Sequence, residues 1–165
     1  MAKTTKIITV AEVEEHALKT ATFDDALLED FILPAQRHYL KPFLSATYYD
    51  EILTQVEGAT LTSDNSALLN DWIKPMLAYY VVYDSFPSIR ANITSRGIMV
   101  NESETSTAAS NGEAAMLRQH YLSHAERWKA DTLDFINEEI ADDSSKYPNF
   151  SKASDEFNNK GMFII

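Results

Sequence analysis

The chain has 165 residues, 45% of them apolar and 24% charged, which is the size and make-up of one globular domain. It has no cysteine, so disulfides, thiol catalysis and cysteine-ligated zinc are excluded. Its 25 acids and 14 bases give a formal charge of −11; the excess runs along the whole chain, which argues against a phosphate-gripping surface, since that needs clustered Lys and Arg.

Met1 to Val10 lacks the apolar run and small-residue cleavage site of a secretory leader, so none is expected. Thr9 and Glu12 are spaced as a capping box, which predicts a first helix near 10–19. Thr22 and Asp25 open a second, near 23–41, on the apolar stripe Leu27, Leu28, Phe31 and Ile32. Pro34 should kink or break it and Pro42 should end or bend it, because a proline ring lacks the N–H and clashes one turn back. A third helix is expected near 46–56, closed by Gly58.

Asp64 to Ser66 offer caps for a helix near 65–86 that is apolar on almost every face, the mark of a central element. Pro75 lies inside it and Pro87 should end it. Its most apolar part, Trp72 to Phe86, carries Lys74, Pro75 and Asp84 and is too short to cross a bilayer, so no membrane segment is expected. Residues 89–100 are β-branched and punctuated by Gly97, which predicts a short hairpin. Such a hairpin is marginal alone and needs cover from its own helices or from a neighbouring subunit. We expect the neighbour, with Ile89, Ile93, Arg96, Gly97, Ile98 and Val100 at the contact.

Residues 101–112 are polar and read as a loop. Ser110 and Glu113 then cap a long helix near 112–141, with Leu117, Tyr121, Ala125, Trp128, Thr132, Phe135, Ile136 and Ile140 on one stripe. The tail, 142–165, ends in Gly161-Met162-Phe163-Ile164-Ile165, and the apolar Met162, Phe163, Ile164 and Ile165 are expected to dock on the body or a partner. No internal repeat is evident. The expected fold is mainly α: one domain over 1–165, a helical bundle with a short β-hairpin insertion and an extended C-terminal tail.

Chemistry is sparse. His120 and His124 stand one helical turn apart, but Tyr121 replaces the glutamate of a zinc-protease helix and no third ligand has a telling spacing. The acid pairs Glu14-Glu15, Asp24-Asp25, Glu138-Glu139 and Asp142-Asp143 read as solvated faces, since adjacent helical residues do not face one another. The four glycines form neither a phosphate loop nor a dinucleotide fingerprint. No catalytic residue, cofactor site or metal site is expected. Tyr39, Tyr48, Tyr49, Tyr79, Tyr80 and Tyr83 cluster around the proline-bearing helices, as core residues or as interface residues.

Two ordered stretches carry a resemblance. The first is Phe31-Ile32-Leu33-Pro34-Ala35-Gln36, Tyr39-Leu40-Lys41-Pro42-Phe43-Leu44-Ser45 and Tyr48-Tyr49-Asp50-Glu51-Ile52-Leu53. The second is Leu69-Asn70-Asp71-Trp72-Ile73-Lys74-Pro75-Met76-Leu77-Ala78-Tyr79-Tyr80, followed by Ile93-Thr94-Ser95-Arg96-Gly97-Ile98. Together they resemble the head–tail connector proteins, the neck adaptor rings, of tailed phages of Bacteroidetes, including crAss-like phages.

The resemblance implies a non-enzymatic virion protein at the neck, assembled in the host cytoplasm into a homo-oligomeric ring, often twelvefold. Such a ring docks on the portal, binds the next neck or tail protein and lets DNA pass without sequence-specific binding. Alternatives are a stopper, a tail-completion or a head-completion protein. A small helical enzyme or ligand-binding domain would use His120, His124 and Arg118.

Overall fold

The computed structural model describes residues 4–18, 25–94, 97–100 and 111–150. Five helices make the body. They are α1 (Val10–Ala17), α2 (residues 25–44), α3 (Ala46–Glu57), α4 (residues 63–90) and α5 (Asn111–Asp142). Two of them change pitch midway. In α2 an α-helical Asp25–Ala35 passes through a π-helical turn, Gln36–Leu40, into Lys41–Leu44. In α4 the order is Ser63–Ala67, π-helical Leu68–Ile73 and Lys74–Arg90.

Each π turn precedes a Lys-Pro pair. The Lys41 N–H donates to the Gln36 carbonyl and the Lys74 N–H to the Leu69 carbonyl, both five residues back. Pro42 and Pro75 follow with no N–H to give. A π turn holds one extra residue, so the backbone is already wider where the proline ring would strike the preceding turn. The helix continues instead of breaking. Tyr39-Leu40-Lys41-Pro42-Phe43-Leu44 and Trp72-Ile73-Lys74-Pro75-Met76-Leu77 therefore do the same structural work. Their aliphatic positions Leu40, Leu44, Ile73 and Leu77 are fully buried in both cases. This is an internal correspondence where none was expected.

Several boundaries move for related reasons. Pro34 lies inside α2 without ending it, and Pro87 lies inside α4, which runs on to Arg90. The break after α2 comes at Ser45, whose φ of 69° turns the chain while its hydroxyl accepts from the Tyr48 N–H at 3.5 Å to cap α3. Thr62, not Asp64, caps α4. The capping box of α1 forms as its spacing predicts. The Thr9 hydroxyl accepts from the Glu12 N–H at 3.3 Å, and the Thr9 N–H donates to the Glu12 carboxylate at 2.8 Å.

The expected β-hairpin insertion is overturned as part of the fold class. The described residues form a mainly helical single-domain bundle, with no β layer among them. Backbone pairing is confined to Ala91–Thr94 against Gly97–Val100, a local ribbon that continues directly from α4. Two four-residue segments cannot make a core of their own, and among the described side chains the buried apolar residues come from the helices and from Ile7, Ile8, Leu18 and Tyr147. The side chains of Ile89, Ile93, Arg96, Gly97, Ile98 and Val100 lie outside those described. Met162, Phe163, Ile164 and Ile165 lie outside the described residues altogether, as do Thr22 and Ser110.

α4 is the central element, packed by α1, α2 and α5. Tyr83 meets Arg118, Tyr80 meets Glu126 and Trp72 meets Phe135, so α4 and α5 run antiparallel. Phe150 closes the other end against Phe43 and Tyr48, and Tyr147 packs on Tyr48. Leu117, expected on the apolar stripe of α5, is 47% exposed, and Met116 beside it is 75% exposed. Among the described residues no helix is long and apolar enough to cross a membrane.

The N-terminal segment is held by one side chain from each π-turned region. Gln36 is completely buried. Its amide oxygen accepts from the Ile7 N–H at 2.9 Å, and its amide nitrogen donates to the Thr5 carbonyl at 3.0 Å and to the Tyr49 hydroxyl at 2.8 Å. Lys74 pairs with Glu12 of α1 at 2.6 Å. Replacing Gln36 by Leu would strand the Ile7 N–H and the Thr5 carbonyl, so Gln36→Leu should lower unfolding free energy by about 3 kcal/mol in urea titration. Amide exchange at Ile7 should accelerate at the same time.

Glu12 gives a second, pH-dependent expectation. Partial burial raises its carboxyl pKa, but the Lys74 ammonium and the Thr9 bonds more than offset this, and the net direction is down. A carboxyl depressed in the folded state stabilises fully above its unfolded pKa and loses that contribution as pH falls through the folded value. The melting temperature should therefore drop on acidification below the ordinary glutamate range. Glu12→Gln should show a shallower drop there and a lower melting temperature at neutral pH.

Candidate functional site

The first π turn does more than carry a proline. It sets Tyr39 across to α4, where its hydroxyl donates to Asp84 Oδ1 at 2.8 Å. The Tyr39 ring lies flat on that of Tyr80, with centroids 3.9 Å apart and planes within 7°. Tyr80 in turn donates from its hydroxyl to Glu126 Oε1 on α5 at 2.6 Å. Two stacked phenols, each bonded to a carboxylate, thus join α2, α4 and α5. Burial first, and then the neighbouring carboxylate, push both hydroxyls well above the usual tyrosine range, so they remain protonated donors.

An open groove of about 520 Å³ lies on the outer side of this turn, lined by Pro34, Arg37, His38, Tyr39 and Asp84. Pro34, Arg37 and His38 are exposed, Tyr39 and Asp84 half-buried. His38 sets its ring edge-on to Tyr39 at 4.6 Å. Arg118 of α5 lies over the Tyr83 ring at 4.2 Å, and its Nε donates to the Tyr83 carbonyl at 3.3 Å. Its charge is felt at Tyr39, where it opposes the upward push of Asp84. The groove offers cationic and imidazole donors on an aromatic floor, with one carboxylate engaged by Tyr39. That equipment suits recognition of an acidic surface.

No spacing rule brings these residues together: Tyr39 and Asp84 are 45 positions apart. The only local signal is the tyrosine two residues before a Lys-Pro pair. The six clustered tyrosines divide between roles, with Tyr48, Tyr49 and Tyr80 buried and Tyr39, Tyr79 and Tyr83 half-buried.

The histidine pair lies elsewhere. The rings of His120 and His124 are 4.3 Å apart, edge to face, and His124 stacks on Tyr79 at 5.1 Å. Burial, then His120 and Arg127, lower the His124 pKa. Among the described residues no three side chains converge as a metal site. Arg118 turns to Tyr83, so the structure does not gather His120, His124 and Arg118 into one pocket.

Residues 15–156 match the family of unknown function DUF6712. The chain belongs to DUF6712. The match to DUF6712 takes in both Lys-Pro turns, every residue lining the groove and the whole of α5. No curated protein and no solved structure matches the chain.

The phenol network has a direct optical test. Tyr39, Tyr48 and Tyr80 are all raised, chiefly by burial, so they should contribute no phenolate absorbance until the fold opens. A group raised in the folded state stabilises fully below its unfolded pKa, and that contribution is lost as pH rises beyond it. Alkaline titration should show a second, late set of phenolates appearing together with loss of helix signal, with these three among them. Tyr39→Phe should reduce the second set and lower stability by about 1 kcal/mol.

Proposed function

We propose that the protein is a structural subunit of the phage neck, forming an adaptor ring that joins the portal to the tail and surrounds the DNA path. One observation carries this reading. The ordered likeness to connector proteins over 31–53, 69–80 and 93–98 falls for the most part on the two Lys-Pro turns and their flanks, the residues that organise the bundle. A likeness concentrated on fold-determining backbone supports common architecture better than the same number of scattered surface matches.

The charge is compatible with that role. A net −11 spread along the chain would repel the DNA backbone and let it slide past ungripped. The aromatic contacts supply stiffness between helices without any reacting group, as a ring subunit requires.

The test is native mass spectrometry and light scattering of the purified chain, alone and with the portal protein of the same phage. A closed homo-oligomer, or a portal complex with many copies of this chain, is expected. A chain that stays monomeric at high concentration and does not bind the portal would sink the reading. A portal complex that needs a different neck protein first would place the chain further down the neck, as a stopper or completion protein.

A further inference from the structure

A basic stretch at the groove and an acidic ridge of α5 carry opposite charge, and they sit at opposite ends of the α4–α5 pair. Residues 31–49 contain Arg37, His38 and Lys41 and no acid, in a chain with 25 acids and 14 bases. Arg37 and His38 line the groove together with Asp84, whose carboxylate accepts from Tyr39, and Lys41 is exposed one turn on, over the Tyr49 ring. At the far end, Asp131, Asp134, Glu138 and Asp142 follow three- and four-residue spacings on α5, and all four are exposed. They form one convex acidic ridge.

This ridge is unfavourable within the subunit. Like charges four apart on a helix repel, and α5 ends with no basic residue in its last turn, so the carboxylates face the negative end of the helix dipole. Lys146 pairs with Glu139, and Asp143 accepts from the Ser145 N–H and hydroxyl at 2.9 and 2.7 Å. Those local contacts leave the line of Asp134, Glu138 and Asp142 facing outward.

The two surfaces cannot meet inside one molecule. Arg118 marks the groove end of α5 by its contact with Tyr83, and about 36 Å of helix separates it from Asp142. Opposed, complementary ends on one rigid helix pair define a head-to-tail contact, which closes into a ring or runs on as a filament. We propose that the Pro34–Asp84 groove of one copy receives the acidic α5 ridge of the next. The contact rests on the ring reading above and names the surfaces by which subunits would join. The occupant is a second copy of this chain, because the complementary charge and position are both built into the same sequence.

Two neutralised variants test it, both at exposed positions. One is Arg37→Ala with His38→Ala, which blanks the groove. The other is Asp134→Asn with Glu138→Gln and Asp142→Asn, which blanks the ridge. Sedimentation velocity at low salt should show wild type self-associating, and each variant weakened tenfold or more. Mixed, the two variants should form a one-to-one heterodimer that grows no further, since each keeps one intact surface. Wild-type association that neither variant disturbs would overturn this contact while leaving the ring reading in place. Variants that are both weakened but do not complement each other would also overturn it, pointing instead to a symmetric pairing. Wild type that is monomeric at every concentration, with or without the portal, would remove both.

Discussion

A proline inside a buried helix leaves a carbonyl without its donor and crowds the turn before it. Two helices at the centre of this bundle carry such a proline in the same local sequence, aromatic-aliphatic-Lys-Pro. Both are accommodated by one π turn placed just upstream. The extra residue also rotates everything before it relative to everything after it, so side chains on the two halves of a helix face directions that a straight helix could not give them. The remaining architecture follows from that rotation. Gln36 turns inward to hold Thr5 and Ile7, Tyr39 reaches across to Asp84, and Trp72 reaches Phe135 and Trp128.

The groove is a consequence of the same turn. Pro34 cannot donate, so it stands exposed on the outer face, and the widened backbone after it carries Arg37 and His38 outward while Gln36 and Leu40 point in. An ordinary α-helix would keep its surface convex here. The price of the π turn is a looser backbone, and it is offset by Gln36, which bonds three groups from a fully buried position. The groove lining and the buried anchor Gln36 thus share one five-residue stretch.

How much of this could be seen in the sequence depends on range. The helical class, the Thr9–Glu12 capping box and the central place of α4 follow from local pattern, because capping and apolar periodicity act within a few residues. The prolines misled in a consistent way. Pro42 was expected to end or bend its helix and Pro87 to end its own, yet α2 runs two residues past Pro42, beyond the π turn that accommodates it, and α4 runs through Pro87 to Arg90. The hairpin failed as an element of the fold because β-branched composition at 89–100 describes local preference and says nothing of whether a helical core needs a β layer. The groove was invisible, as it joins residues of α2 and α4 through a pitch change that no periodicity encodes. Leu117 shows the converse: correct spacing on the stripe, but no cover among the described residues.

The choice of tyrosine over phenylalanine in this core has a physical reason beyond burial. Apolar faces of two helices can slip by a turn with small loss, because one aliphatic contact replaces another. A buried hydroxyl cannot slip, since losing its acceptor strands a polar group. Tyr48 bonds Asn65 at 2.7 Å and so sets α3 against α4. Tyr49 bonds Gln36 and sets α3 against α2, Tyr39 bonds Asp84 and sets α2 against α4, and Tyr80 bonds Glu126 and sets α4 against α5. Four phenols therefore fix four helix registers, one bond each, while the rings supply the apolar area. The register they hold is that of a helix pair in which some 36 Å of α5 separates Arg118 from Asp142. A one-turn slip of α5 along α4 would move its acidic end by about 5 Å. Tyr80 and Glu126 oppose that slip at the midpoint of the pair, with the Arg118–Tyr83 bond on one side and the Trp72–Phe135 stack on the other.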